Sequence, residues 1–106
     1  MFNRARRDLL QDVLADLNDR NLLILKAAAA TTEPFVKLIY QNYRQLSLQL
    51  REEPFSYVYF YSALSYLQSI GLLLLISAKV GRSYTNRIQL LFDPELLENT
   101  WRLRLE

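Results

Sequence analysis

Residues 54–92 read PFSYVYFYSALSYLQSIGLLLLISAKVGRSYTNRIQLLF, and the apolar period of this stretch changes at one residue, Gly71. Before it, Phe60, Ala63, Leu64, Leu67 and Ile70 recur at intervals of three and four, which gathers them on one side of a helix over 57–70. Ser56 precedes that helix as its N-cap, and Gly71 follows it where a left-handed backbone is needed. Val58, Tyr61, Ser62, Ser65 and Ser69 then point away from the packed side. Past Gly71, residues 72–78 are apolar and short, which predicts a strand. Lys79-Val80-Gly81-Arg82-Ser83 reads as a turn, and 84–92 as the returning strand, with Tyr84, Asn86, Ile88 and Leu90 alternating with Thr85, Arg87, Gln89 and Leu91.

Working outward, three helical patterns precede this stretch. Residues 4–17 carry Leu9, Leu10, Val13, Leu14 and Leu17 on one face with acids opposite. Asn18 or Asp19 caps a second helix, over 20–30, in which Leu22, Leu23, Ile24, Leu25 and four alanines make an apolar surface nearly all round, as a central helix needs. Thr31 or Thr32 caps a third helix, over 33–50, with Pro34 in its first turn. Its expected buried face is Val36, Ile39, Tyr40, Tyr43, Leu46, Ser47 and Leu50, with the hydroxyls of Tyr40 and Tyr43 reaching the edge. Downstream, Asp93 caps and Pro94 opens a last helix over 94–102, from which Leu96, Leu97 and Trp101 pack back.

The order is three helices, a turn, a helix, a hairpin and a final helix. This is the layout of a winged helix-turn-helix, a mainly α fold with a β-hairpin wing, expected here as a single domain over 1–106. The fourth helix takes the position that lies in a major groove in such folds, and the wing tip the position that reaches phosphate or the minor groove.

Composition limits the chemistry. With 51% hydrophobic residues, two Gly and three Pro among 106 residues, the chain has enough apolar material to build a core. It has no Cys and no His, which excludes disulfides and thiolate chemistry and removes most zinc sites and the usual neutral-pH acid–base group. No nucleophile with a matched base can be assembled from the remaining groups, so neither an enzyme nor a cofactor is expected. The net charge of +2 is small, but its distribution is uneven. Arg4, Arg6 and Arg7 open the chain, Arg102 and Arg104 close it, and Lys79, Arg82 and Arg87 lie in a segment without acids. Residues 54–78 carry no charge over 25 positions, but four Tyr, five Ser, a Gln, a Pro and a Gly interrupt them, so no membrane span is expected. Met1 to Arg7 does not lead into an apolar stretch, so no secretory leader is expected either.

The third and fourth helices and the wing carry a further pattern. Ile39-Tyr40-x-x-Tyr43-x-x-Leu46-Ser47-x-x-Leu50 is followed by Glu53-Pro54-Phe55-Ser56, and then by Phe60-x-x-Ala63-Leu64-x-x-Leu67-x-x-Ile70-Gly71-Leu72-Leu73. Ala78-Lys79-Val80, Gly81-Arg82-Ser83, Thr85-Asn86-Arg87-Ile88-Gln89-Leu90 and Asp93-Pro94-Glu95 complete it. Over residues 39–90 closely, and over most of the chain loosely, this resembles the C-terminal winged-helix domain of archaeal DNA replication initiators related to the origin recognition complex. Ser47 stands where that family has a cysteine. Two departures are plain: the chain has no Gly-rich phosphate loop of the ATPase module that precedes the domain in that family, and no Lys or Arg between Pro54 and Ala78. The resemblance implies either an excised domain or a stand-alone relative.

What the resemblance implies is duplex DNA binding in replication origin recognition, in the cytoplasm at the nucleoid. The wing residues Lys79, Arg82, Ser83 and Arg87 are the candidate DNA contacts, with Arg87 facing either DNA or the body of the domain. Ser56, Tyr57, Val58, Tyr61, Ser62 and Ser65 on the fourth helix face either DNA or a protein partner. The second possibility is a docking or self-association module with little DNA affinity, since Tyr is enriched and Lys depleted at protein interfaces.

Overall fold

A computed structural model describes residues 4–105; the side chains of 4–8, 80 and 105 lie outside what is described. The chain folds as α1 (Arg4–Asp16), α2 (Asp19–Ala30), α3 (Val36–Gln49), α4 (Tyr57–Ser69), β1 (Leu73–Val80), β2 (Ser83–Leu90) and α5 (Pro94–Leu105). This is a winged helix-turn-helix. Asn18, not Asp19, caps α2: its side chain accepts from the backbone N–H of Asn21 at 2.8 Å. Leu22, Leu23, Ile24, Leu25, Ala27 and Ala28 are all buried, so α2 runs through the centre, touching α3, α5 and β2. On α1 the burial is narrower than its pattern suggests. Leu14 and Leu17 are buried and Leu10 and Val13 partly so, while Leu9 is exposed because α1 packs mainly on α5.

The start of α3 differs from the expectation. Neither Thr31 nor Thr32 caps it, and Pro34 lies outside it. Thr31 instead closes α2, its hydroxyl donating to the Ala27 carbonyl at 2.6 Å and accepting from the side-chain amide of Asn42 at 2.7 Å. Residue 33, preceding a proline, is biased towards extended backbone. The chain uses that extension: the Pro34 carbonyl accepts from the Ile88 N–H at 2.8 Å, and Phe35 bridges Arg87 in antiparallel fashion. Two residues thus add a short third rung beside β2. Val36, Ile39, Tyr43 and Ser47 form the buried stripe of α3, flanked by partly buried Tyr40 and Leu46; Leu50, expected inside, is exposed at the C-cap.

Helices α3 and α4 end in the same way. The residue after each C-cap has positive φ, Arg51 at 57° and Gly71 at 84°. After α3, Glu52 N–H donates to the Ser47 carbonyl at 2.8 Å and Arg51 N–H to Leu48 at 3.1 Å; after α4, Leu72 N–H donates to Leu67 at 3.1 Å and Gly71 N–H to Gln68 at 3.0 Å. Both are Schellman closures, one with the glycine that suits the left-handed position and one without it. At the second, buried Leu72 follows the turn as buried Leu67 precedes it, so the chain leaves α4 directly into the wing.

The wing is tighter than the five-residue turn expected. Val80 pairs directly with Ser83, leaving a two-residue loop, Gly81-Arg82, with Gly81 at φ 62°. A glycine with positive φ at the first loop position is what a type II′ hairpin turn asks for. The register runs from Leu73 opposite Leu90 to Val80 opposite Ser83.

The two Schellman positions give paired expectations. Arg51→Gly should raise stability by roughly 1 kcal/mol by removing the Cβ that strains a left-handed backbone. Gly71→Ala should lower it by roughly as much, from backbone strain alone, because no heavy atom lies within 4 Å of an added Cβ. Urea midpoints of the two variants should move in opposite directions with unchanged slopes.

Candidate nucleic-acid interface

The site begins with the turn between α3 and α4. Tyr43 is fully buried, and its hydroxyl accepts from the Phe55 N–H at 2.9 Å; the Tyr40 hydroxyl donates to the Phe55 carbonyl at 2.8 Å. Both edges of one peptide segment are thereby held by α3. Tyr43 stacks on Phe60 at 5.3 Å between centroids, and Tyr40 meets Tyr57 edge-on at 5.1 Å. Ser56 then caps α4, accepting from Tyr59 N–H at 3.3 Å. Phe60, Leu64 and Leu67 are buried, so Val58, Ser62 and Ser65 turn outward, all exposed.

Tyr61 does not point freely to solvent. It is half-buried, packs edge-on against Tyr57 at 5.7 Å, and its hydroxyl accepts from the side-chain amide of Asn86 on β2. Burial, helped by the neighbouring Tyr57, pushes the Tyr61 phenol above its ordinary range, so this clamp is neutral throughout the physiological pH range. Seven residues further along the same side of α4, the Gln68 side-chain carbonyl accepts from Leu75 N–H on β1 at 2.7 Å. One face of α4 therefore holds both strands of the wing. Neither Asn86 nor Gln68 was among the residues expected at the site. The spacing of seven between Tyr61 and Gln68 is the signal that places them together.

The clamp orients the wing. Residues directly opposite in the hairpin share a face, so Lys79 and Tyr84 lie on the face that holds Asn86, turned towards α4. Tyr84 is 73% exposed there, near the tip, and it too was absent from the expected set. Arg82 and Ser83 are exposed at the tip itself. Arg87 belongs to the opposite face, beside Ile76, and is exposed. Arg87 is therefore not turned into the body of the domain with Ile88, and it stands on the other face of the wing from Lys79.

Arg104 is engaged elsewhere in the fold. The Arg104 guanidinium binds the Leu17 carbonyl and, at 2.7 Å, the Asp19 carboxylate, which ties α5 to the α1–α2 junction. On the same helix Glu98 pairs with Lys26, whose hydrogen bond and charge hold the carboxyl below the usual carboxylate range, with Arg102 assisting. Arg4, Arg6 and Arg7 lie outside the residues whose side chains are described.

A helix-turn-helix whose second helix is exposed along one side and flanked by a hairpin with a cationic tip defines the winged helix-turn-helix class. Among solved structures, the chain is similar to the Orc1 protein of Aeropyrum pernix solved in complex with DNA, with a TM-score of 0.83 and 22% identity. The match covers 95% of this chain and 28% of that one, so the chain spans less than a third of the other protein's length. No family model and no curated protein matches it. Among the described residues no helix is long and apolar enough to cross a membrane.

Removing both clamps should loosen the wing without melting the helices. In Tyr61→Phe/Gln68→Ala, each lost hydrogen bond is worth about 1 kcal/mol. Amides over 76–80 and 83–87 should exchange several-fold faster by NMR, while those of α2 and α3 keep their protection. Wild-type exchange rates in the wing would show that the strands hold it unaided.

Proposed function

We propose that this chain is a duplex DNA-binding module that docks α4 along a groove and holds DNA backbone with its wing. The observation that carries this reading is the pair of side-chain bonds from Tyr61 and Gln68, because they set the wing beside the exposed side of α4. Lys79 on the α4-facing side and Arg82 at the tip then add positive charge next to a helix that has none. Phosphate is the group such charges recognise irrespective of sequence. The DNA complex of the structurally similar Orc1 protein supports the same use of the fold. Origin recognition in DNA replication, at the nucleoid in the cytoplasm, is the setting we assign on the sequence resemblance, and the module acts there by binding, without catalysis or cofactor.

A second reading rests on one observation. Tyr59 and Tyr66, seven residues apart on the flank of α4 away from the wing, are both exposed, as protein-contacting tyrosines are. Under that reading α4 docks a protein or a second copy.

Fluorescence anisotropy with a labelled duplex across a salt series separates the two. Lys79 and Arg82 together should give a slope of log K against log salt of roughly −2, with affinity of order 10⁻⁴–10⁻⁶ M at physiological salt. Arg82→Ala should weaken binding alike on all sequences and flatten the slope by about one unit. No binding at low salt, or an Arg82→Ala curve that overlays wild type, would transfer α4 to the protein-docking reading.

A further inference from the structure

Between Pro54 and Ala78 tyrosine is the only ionisable residue type, so α4 carries no guanidinium, ammonium or carboxylate to a duplex. The bidentate arginine contact to guanine and the acidic acceptor for the cytosine amino group both lie outside its chemistry. What α4 does present is Val58, its second residue, 75% exposed. That is the end of a recognition helix from which side chains reach base edges. Val58 borders an open hollow of about 360 Å³ whose other walls are Tyr57, Tyr61, Ser62 and Ser65. Its aromatic walls are fixed, since Tyr57 packs on Tyr40 and Tyr61 is bonded to Asn86.

The one apolar group on the major-groove edge of a base pair is the pyrimidine 5-methyl, carried by thymine. We infer that Val58, with the hollow beside it, is a specificity-determining contact for that methyl, so that the module prefers duplexes rich in A·T pairs. This inference rests on the DNA-binding function proposed above. The Ser62 and Ser65 hydroxyls both donate and accept, and so suit any neighbouring base edge without choosing between them. Discrimination falls to Val58. The same methyl occurs in 5-methylcytosine, so the chemistry recognised is the 5-methyl, with thymine its ordinary source.

The test compares one A·T-rich duplex with its copy in which deoxyuridine replaces thymidine, which removes the methyl and leaves the pairing intact. Anisotropy titrations of wild type should show the uridine duplex binding about fourfold more weakly for each methyl buried, from the transfer value of a single CH₂-sized group. Val58→Ala, a change at an exposed position, should bind both duplexes equally, with the salt slope of wild type. A G·C duplex carrying 5-methylcytosine should bind wild type more tightly than its unmethylated copy if the methyl alone is read; a gain confined to A·T assigns the contact to thymine. Equal binding of the thymidine and uridine duplexes by wild type would overturn the inference while leaving DNA binding in place. A preference that survives in Val58→Ala would overturn it too, by tracing the effect to the duplex. Failure to bind any duplex at low salt would remove the DNA-binding function itself.

Discussion

The backbone of Phe55 is held from both sides by tyrosine hydroxyls, Tyr43 accepting from its N–H and Tyr40 donating to its carbonyl. A tyrosine as deeply buried as Tyr43 needs a partner for its hydroxyl, because desolvating it unpaired costs about 1–3 kcal/mol. The turn supplies that partner, and in return loses its freedom to choose a direction. With Phe55 fixed, Ser56 can cap only one helix, and the ring of Phe60 must fall on Tyr43. The angle between α3 and α4 is therefore a consequence of hydrogen bonding at the turn as much as of the apolar core beneath it.

The constraint propagates. Tyr40 fixes the ring of Tyr57, Tyr57 that of Tyr61, and Tyr61 reaches Asn86 in the wing. On the far side of the fold the terminal helix is tied differently, by Arg104 to the α1–α2 junction and by the Lys26–Glu98 pair, with the Lys26 ammonium 5.4 Å above the Trp101 ring. The two halves have distinct chemistry. Cations on α5 are used within the molecule, whereas Lys79 and Arg82 on the wing are in no ion pair among the described residues.

Element order and type were legible because periodicity changes sharply where the backbone does. Gly71 separates a period near 3.6 from a short unbroken apolar run, and Ser56, Asp93 and Pro94 mark helix starts that hold in the structure. The miss at Thr31–Pro34 arose because a threonine before a proline satisfies the helix-start pattern equally well when it ends the previous helix. What decided it was the Pro34 carbonyl finding Ile88, some fifty residues on, a pairing that no local pattern encodes. The same holds for the site. Arg82 was legible as a loop-tip cation, but the face on which Lys79 and Arg87 stand depends on register, set here by a two-residue loop instead of a longer one. Asn86 and Gln68 look like ordinary polar surface residues until the wing is folded against α4.

One further consequence follows from the Gln68–Leu75 bond. Among the described residues β1 pairs only with β2, so its other edge is an open template, and the strand behind that edge is rich in leucine and isoleucine. Such edges recruit strands from other molecules and grow into intermolecular sheets. The Gln68 carbonyl occupies the Leu75 amide in place of an incoming strand, and Lys79 puts a charge further along the same edge. The residue that steadies the wing thus also withholds from any incoming strand one of the amides it would have to pair with.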